Sequence, residues 1–174
     1  ASTGTFTLVA GAVSALVVST QPSPSTASGI AFAQQPVVRL QDAQGNLAVA
    51  DSTSEVAVSL QTGSGALTTT GLLTVTAANG VVVFDGLKLS LVGTNKVLRF
   101  TRTLGALTVD TTHALTITPG ELASLSMGQQ PSGAATSLVV FPVEPSVNTI
   151  DAAGNLRTHD AATVVTVALT GGAG

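Results

Sequence analysis

Two stretches of this chain repeat one another at a constant distance, and no other feature narrows its fold so far. Gln21-Pro22-Ser23 returns as Gln130-Pro131-Ser132, and Asp42-Ala43-Gln44-Gly45-Asn46-Leu47 returns as Asp151-Ala152-Ala153-Gly154-Asn155-Leu156, both 109 positions later. Without gaps, the same offset matches Gly11 to Gly120, Leu16 to Leu125, Phe32 to Phe141, Pro36 to Pro145, and Val56, Val58 and Leu60 to Val165, Val167 and Leu169. About a third of residues 1–65 are identical to their partners in 110–174. Such self-similarity marks copies of one structural unit. A period of 109 suits a whole domain better than a small solenoid turn, because a two-sheet sandwich of the immunoglobulin type takes roughly 100 residues. The expected organisation is then residues 1–11 as the last strand of a preceding module, 12–120 as a complete module, and 121–174 as the first half of a following one.

Composition decides what kind of unit repeats. Hydrophobic residues make up 44% of the 174 and charged residues 9%. That apolar fraction can offset the entropy of ordering, which excludes a disordered chain. Thr and Val are abundant while Glu, Lys and Arg are scarce, which favours strands over helices. The longest apolar clusters, Val81–Phe84 and Leu138–Val143, are strand-length and far short of the roughly 20 residues of a membrane-spanning helix. With six Lys plus Arg and a net charge of −3, no basic patch is expected to neutralise a run of phosphates, so nucleic acid is not an expected partner. The absence of cysteine removes disulfides and thiolate metal sites.

Apolar residues alternate with polar ones at the period of a half-buried strand. Val38 and Leu40 are expected inward with Arg39 and Gln41 outward. Val56, Val58 and Leu60 form one inward row, Leu98 and Phe100 another, and His113, Leu115 and Ile117 share a face of the last strand. Lys88 and Lys96 are read as exposed. Turn residues separate these runs at Pro22–Gly29, Ala43–Asn46, Thr62–Gly65, Ala78–Gly80 and Val92–Asn95. Asn79-Gly80 tolerates positive φ and predicts a tight hairpin. About seven short strands follow, and the expected fold is all-β: an immunoglobulin-like Greek-key β-sandwich in tandem modules.

The order Gln-Pro-Ser, Gln35-Pro36-Val37-Val38 to Asp42-Ala-Gln-Gly-Asn46, Gly80-Val-Val-Val-Phe84-Asp-Gly-Leu87, Leu98-Arg-Phe100 and Ile117-Thr-Pro-Gly120 resembles the bacterial immunoglobulin-like repeats of invasin- and intimin-type adhesins and large secreted surface proteins. The resemblance covers the whole chain and implies an extracellular or cell-surface setting. One departure is plain: many such domains carry a corner Tyr, and this chain has no Tyr.

Asp42, Asn46 and Asp51, with their repeats Asp151, Asn155 and Asp160, gather oxygen atoms near one loop and are the candidate Ca²⁺ ligands. The simpler expectation for the same residues is a turn in which Asp accepts backbone N–H groups and no cofactor is needed. His113 and His159 do not correspond under the repeat and lack partner ligands, so neither marks a zinc or catalytic site. No hydroxyl is singled out as an activated nucleophile. Without Trp or Tyr the chain lacks the aromatic platforms of sugar-processing sites. A Lys to Asn cross-link through Lys88 or Lys96 is disfavoured by their expected exposure.

These readings predict no enzyme but a structural or adhesive repeat of an extracellular surface protein or filament: a stalk, coat or adhesin shaft. Its expected partners are neighbouring copies of the module, and a surface or matrix polymer or host receptor. Two alternatives stand beside it, an accessory binding or spacer module of a secreted enzyme, and a subunit of a head-to-tail fibre completed by strand donation.

Overall fold

The computed structural model describes residues 9–131, 136, 138–168 and 170–171, and the chain divides into two compact units, residues 1–118 and 119–174. Ser132, Leu169 and residues 1–8 lie outside the described residues, and with them most of the strand expected over 1–11; residues 9–11 form no strand. The fold is all-β, with no helix among the described residues.

Among the described residues of the first unit eleven strands replace the expected seven, because several runs are broken into pieces of two or three residues. They are β1 (Ala15–Thr20), β2 (Ser25–Ala27), β3 (Val37–Gln41), β4 (Glu55–Thr62), β5 (Leu67–Thr68), β6 (Thr74–Thr76), β7 (Val81–Val83), β8 (Lys88–Leu89), β9 (Gly93–Arg102), β10 (Thr108–Asp110) and β11 (Leu115–Thr118). One sheet has the order β1-β3-β7. A larger sheet runs β2-β11-β9-β4-β6, with β10 also on β9, and β5 pairs with β8 in a two-stranded sheet. All these contacts are antiparallel except β2 with β11, which is parallel. Pro22 and Pro24 separate β1 from β2. Each lacks an N–H and so ends a ladder, which lets the chain leave one sheet for the other.

The inward rows of both sheets meet in one core. Leu16, Val38, Leu40 and Val82 come from the first sheet, Val56, Val58, Leu98, Phe100, Leu115 and Ile117 from the second, and Phe32, Phe84 and Leu87 from the connections. Phe84 and Phe100 pack with ring centroids 5.2 Å apart at 46°, a tilted geometry that suits the ring quadrupoles. The alternation predicted for β3, β4 and β9 is observed in the burial of these residues.

Two local expectations need correction. Asn79 and Gly80 do take positive φ, 52° and 75°, yet the turn does not close a hairpin within one sheet. β6 pairs with β4 and β7 pairs with β3, so the turn carries the chain between sheets, held by the bridge of Ala78 to Val81. Lys96 is not exposed. It has the same parity as Leu98 and Phe100 and is buried with them, while Lys88 is half-buried. The Lys96 stem runs past Gly63, and its Nζ donates to Ser64 O at 2.5 Å. Burial pushes the pKa of this amine below its usual value.

The second unit contains β12 (Leu122–Gln129) and β13 (Ser146–Asp151), paired antiparallel. Five residue pairs of β1 with β3, from Ala15↔Gln41 to Thr20↔Val37, recur 109 positions later in β12 with β13, from Ser124↔Ile150 to Gln129↔Ser146. The irregularity between Val18 and Thr20 recurs between Met127 and Gln129. Residues 164–168 form no strand, although their counterparts lie in β4. The reason is in the ladder: β4 takes its hydrogen bonds from β6 and β9, and no described residue of 119–174 plays either part.

Candidate functional site

The candidate ligands sit in two successive turns, each organised by a carboxylate. Asp42 follows β3, and the chain folds back through Gly45, whose φ of +83° is open to glycine at little cost. Asp42 Oδ1 accepts the backbone N–H of Gln44 and of Asn46, each at 2.9 Å. Its Oδ2 accepts Gly11 N–H at 2.9 Å and Asn46 Nδ2 at 3.0 Å. Asn46 therefore acts toward Asp42 as a donor. The carboxylate joins a residue 31 positions earlier to its own turn.

The second turn is separate. Asp51 Oδ1 accepts the N–H of Thr53 and Ser54, and Oδ2 accepts Ser54 Oγ at 2.6 Å. Arg102 Nε donates to the same Ser54 hydroxyl at 3.0 Å. The tip of the β6–β7 connection docks here, with Gly80 N–H on Asp51 O at 2.7 Å and Asn79 N–H on Ser52 Oγ at 3.1 Å.

Each of these carboxylate bonds has its counterpart 109 positions on. Asp151 accepts Ala153 N–H, Asn155 N–H, Asn155 Nδ2 and Gly120 N–H, the last at 2.8 Å. Asp160 accepts the N–H of Ala162 and Thr163 and the Thr163 hydroxyl. Gly154 takes φ +85°. The two pairs of turns differ in the cation. Where the first has Ala48, the second has Arg157, whose Nη1 pairs with Asp160 Oδ2 and whose Nε donates to Gly120 O at 3.0 Å. Beside Ala48 the first unit holds a cavity of about 360 Å³ reaching from Gly11 to Asp51 and Arg102.

The electrostatics follow from these bonds. The Gly11 N–H and the Asn46 amide are the main causes that hold Asp42 down to about 2, from 3.8. At Asp151 burial raises the pKa, but the hydrogen bonds from Asn155, Gly120 and Ala153 outweigh it and bring the group to about 2. The Thr163 hydroxyl and N–H bring Asp160 to about 2. Asp51 is also lowered: burial works against it, and Ser54, Thr53 and Arg102 prevail. Fixed N–H donors prefer an ionised acceptor, so the corners hold anions that are already neutralised locally.

The arrangement can clamp backbone. Among the described residues no three His, Asp or Glu side chains gather as a metal would require. His113 is half-buried beside β11, with Nε2 out of water and no protein partner in hydrogen-bond reach. His159 lies apart in the turn before Asp160. Sequence reasoning missed the hydroxyls of Ser54 and Thr163 and the part played by Arg102 and Arg157. The Ser54-to-Thr163 match under the offset was the available signal, since it keeps a hydroxyl where identity is lost. No protein family, curated protein or solved structure matches the chain.

Proposed function

We propose that the chain is a run of immunoglobulin-like Greek-key sandwich modules in tandem, serving outside the cell as a non-catalytic structural or adhesive element of a stalk, coat or adhesin shaft. The observation that carries this reading is the Asp corner with its glycine donor, repeated at 109 positions together with the strand register beside it. A unit whose turns, bulge and long-range clamp recur in this way is suited to copying in series, with stability held within each copy and length set by copy number. Neighbouring copies are then its first partners, and a surface or matrix polymer or a host receptor its distal one.

The strand order of the first unit supports a load-bearing role. β2 and β11 run parallel, tied by Thr116 N–H on Pro24 O and Ser28 N–H on Thr118 O. Parallel first and last strands of one sheet leave a unit at opposite ends. Tension between them loads their hydrogen bonds in shear, all at once.

Single-molecule pulling of the chain tethered at both termini tests the proposal. The first unit should give way in one cooperative event that releases roughly 30–35 nm of chain, about one module of extended backbone. Yielding through several small steps, or with no resolvable force peak, would remove the mechanical reading.

A further inference from the structure

Where the second unit has the Arg157 side chain, the first has a space. Arg157 spans its two turns: Nε donates to Gly120 O at 3.0 Å, and Nη1 pairs with Asp160 Oδ2. That carboxylate oxygen also accepts the Thr163 hydroxyl at 2.7 Å. The Asp160 side chain is 4% exposed and that of Arg157 23%, so the guanidinium is seated in a shaped place and not laid on an open surface.

The first unit keeps the receiving groups and lacks the guanidinium. Gly11 and Asp51 stand 109 positions before Gly120 and Asp160. Asp51 Oδ2 accepts the Ser54 hydroxyl at 2.6 Å, and no cation pairs with this carboxylate among the described residues. No described residue donates to Gly11 O. Ala48 ends at its methyl, and beside it lies the cavity of about 360 Å³ lined by Gly11, Ala48, Asp51 and Arg102. Arg102 enters from β9 and donates through Nε to Ser54 Oγ at 3.0 Å, so it takes the hydroxyl and leaves the carboxylate oxygen. Asp51 and Asp42, the latter bonded to Gly11 N–H, set two negative charges against the one positive charge of Arg102. The place is open to a further cation.

We propose that this cavity is a binding site for a guanidinium group, filled by an arginine side chain of a partner protein. The guanidinium donates to Asp51 Oδ2 and to Gly11 O, as Arg157 does to their counterparts within its own unit. A guanidinium is flat and carries its donors in a fixed fork, which suits a carboxylate oxygen and a backbone carbonyl held side by side. A lysine ammonium at the same carboxylate is a point charge without that fork, so the site selects arginine over lysine. The inference rests on the correspondence of the two pairs of turns and is independent of any mechanical role.

The test is titration of the isotope-labelled full chain with N-acetyl-arginine amide, followed by NMR. The expected result is saturable binding, with shifts at the amides of Gly11, Ala48 and Ser54 and none at Gly120 or Thr163, where the place is already filled. N-acetyl-lysine amide should bind at least about tenfold more weakly. Ala48→Arg supplies the group from within the chain. It should abolish the response while leaving the core amides of Val38 and Phe100 unchanged. Absence of saturable binding, an equal response to the arginine and lysine derivatives, or binding that survives Ala48→Arg overturns the site. Failure of the Ala48→Arg chain to fold overturns it as well, because the cavity then does not admit a guanidinium. Free arginine should bind like the blocked form, and binding of free arginine alone overturns the assignment to a partner's side chain.

Discussion

Gly29 and Gly80 share a backbone conformation, φ +75°, and differ in what surrounds them, so replacing each with alanine separates conformational strain from packing. A methyl at Gly29 meets nothing within 4 Å. Gly29→Ala should cost only the left-handed penalty of a non-glycine residue, about 1 kcal/mol. At Gly80 the added Cβ would stand 2.6 Å from Ala48 O and 2.8 Å from Ala48 C. Neither side can retreat freely. Ala48 N–H is held by Leu40 O, and Ala48 O accepts Asp51 N–H. Gly80 N–H is held by Asp51 O, and Gly80 O accepts Leu40 N–H. Relief requires opening at least one of these buried bonds, at about 1–3 kcal/mol. Gly80→Ala should therefore cost about 3 kcal/mol in all. Because the chain has two units and no Trp or Tyr, the appropriate measurement is amide hydrogen exchange at core positions such as Val38 and Phe100, which reports unfolding of the first unit. Equal losses in the two variants, or a Gly80→Ala cost near 1 kcal/mol, would refute the claim that the β6–β7 tip is clamped against the Asp corner.

The Asp corners predict acid sensitivity. Asp42, Asp151 and Asp160 are depressed from 3.8 to about 2 in the folded chain, so the stability they contribute is complete above the unfolded value and is lost as pH falls from about 4 through 2. Circular dichroism across that range should show acid unfolding, and Asp42→Asn should flatten its slope while lowering stability at neutral pH. Lys96 predicts a gain in stability at the alkaline end. Its folded pKa lies below 10.5, so the unfolded chain holds more protons, and stability rises with pH as 10.5 is approached. Lys96→Met keeps the stem and removes the buried charge. It should stabilise the first unit by about 1 kcal/mol at neutral pH and abolish the alkaline rise, as measured by denaturant unfolding.

Period-2 patterning made β3, β4 and β9 legible, because each is covered on one face and wet on the other. It also contained the burial of Lys96, which shares the parity of Leu98 and Phe100. Chemical type argued for solvent at that position, and the aliphatic stem overrode it, since only the amine must find a polar partner. The sheet assignment of β6 and β7 was not legible. An Asn-Gly turn fixes local dihedrals but not the sheet to which each flanking strand belongs, and that choice is made by β3 and β4, distant in sequence. The Asp-to-Asn turns could be read from residue type and spacing. The Gly11 and Gly120 donors could not, because a glycine 31 residues away enters the turn through its backbone alone.

The exchange of Ala48 for Arg157 changes when each corner can mature. Arg102 is 48 residues from Ser54, so the Asp51 turn receives its guanidinium only after β9 has been laid against β4. Arg157 is three residues from Asp160, within the same short loop. Closing so small a loop costs little chain entropy, and contacts local in sequence form early. The later corner thus carries its counter-charge with it and can assemble soon after synthesis, ahead of any sheet that must wait for distant strands.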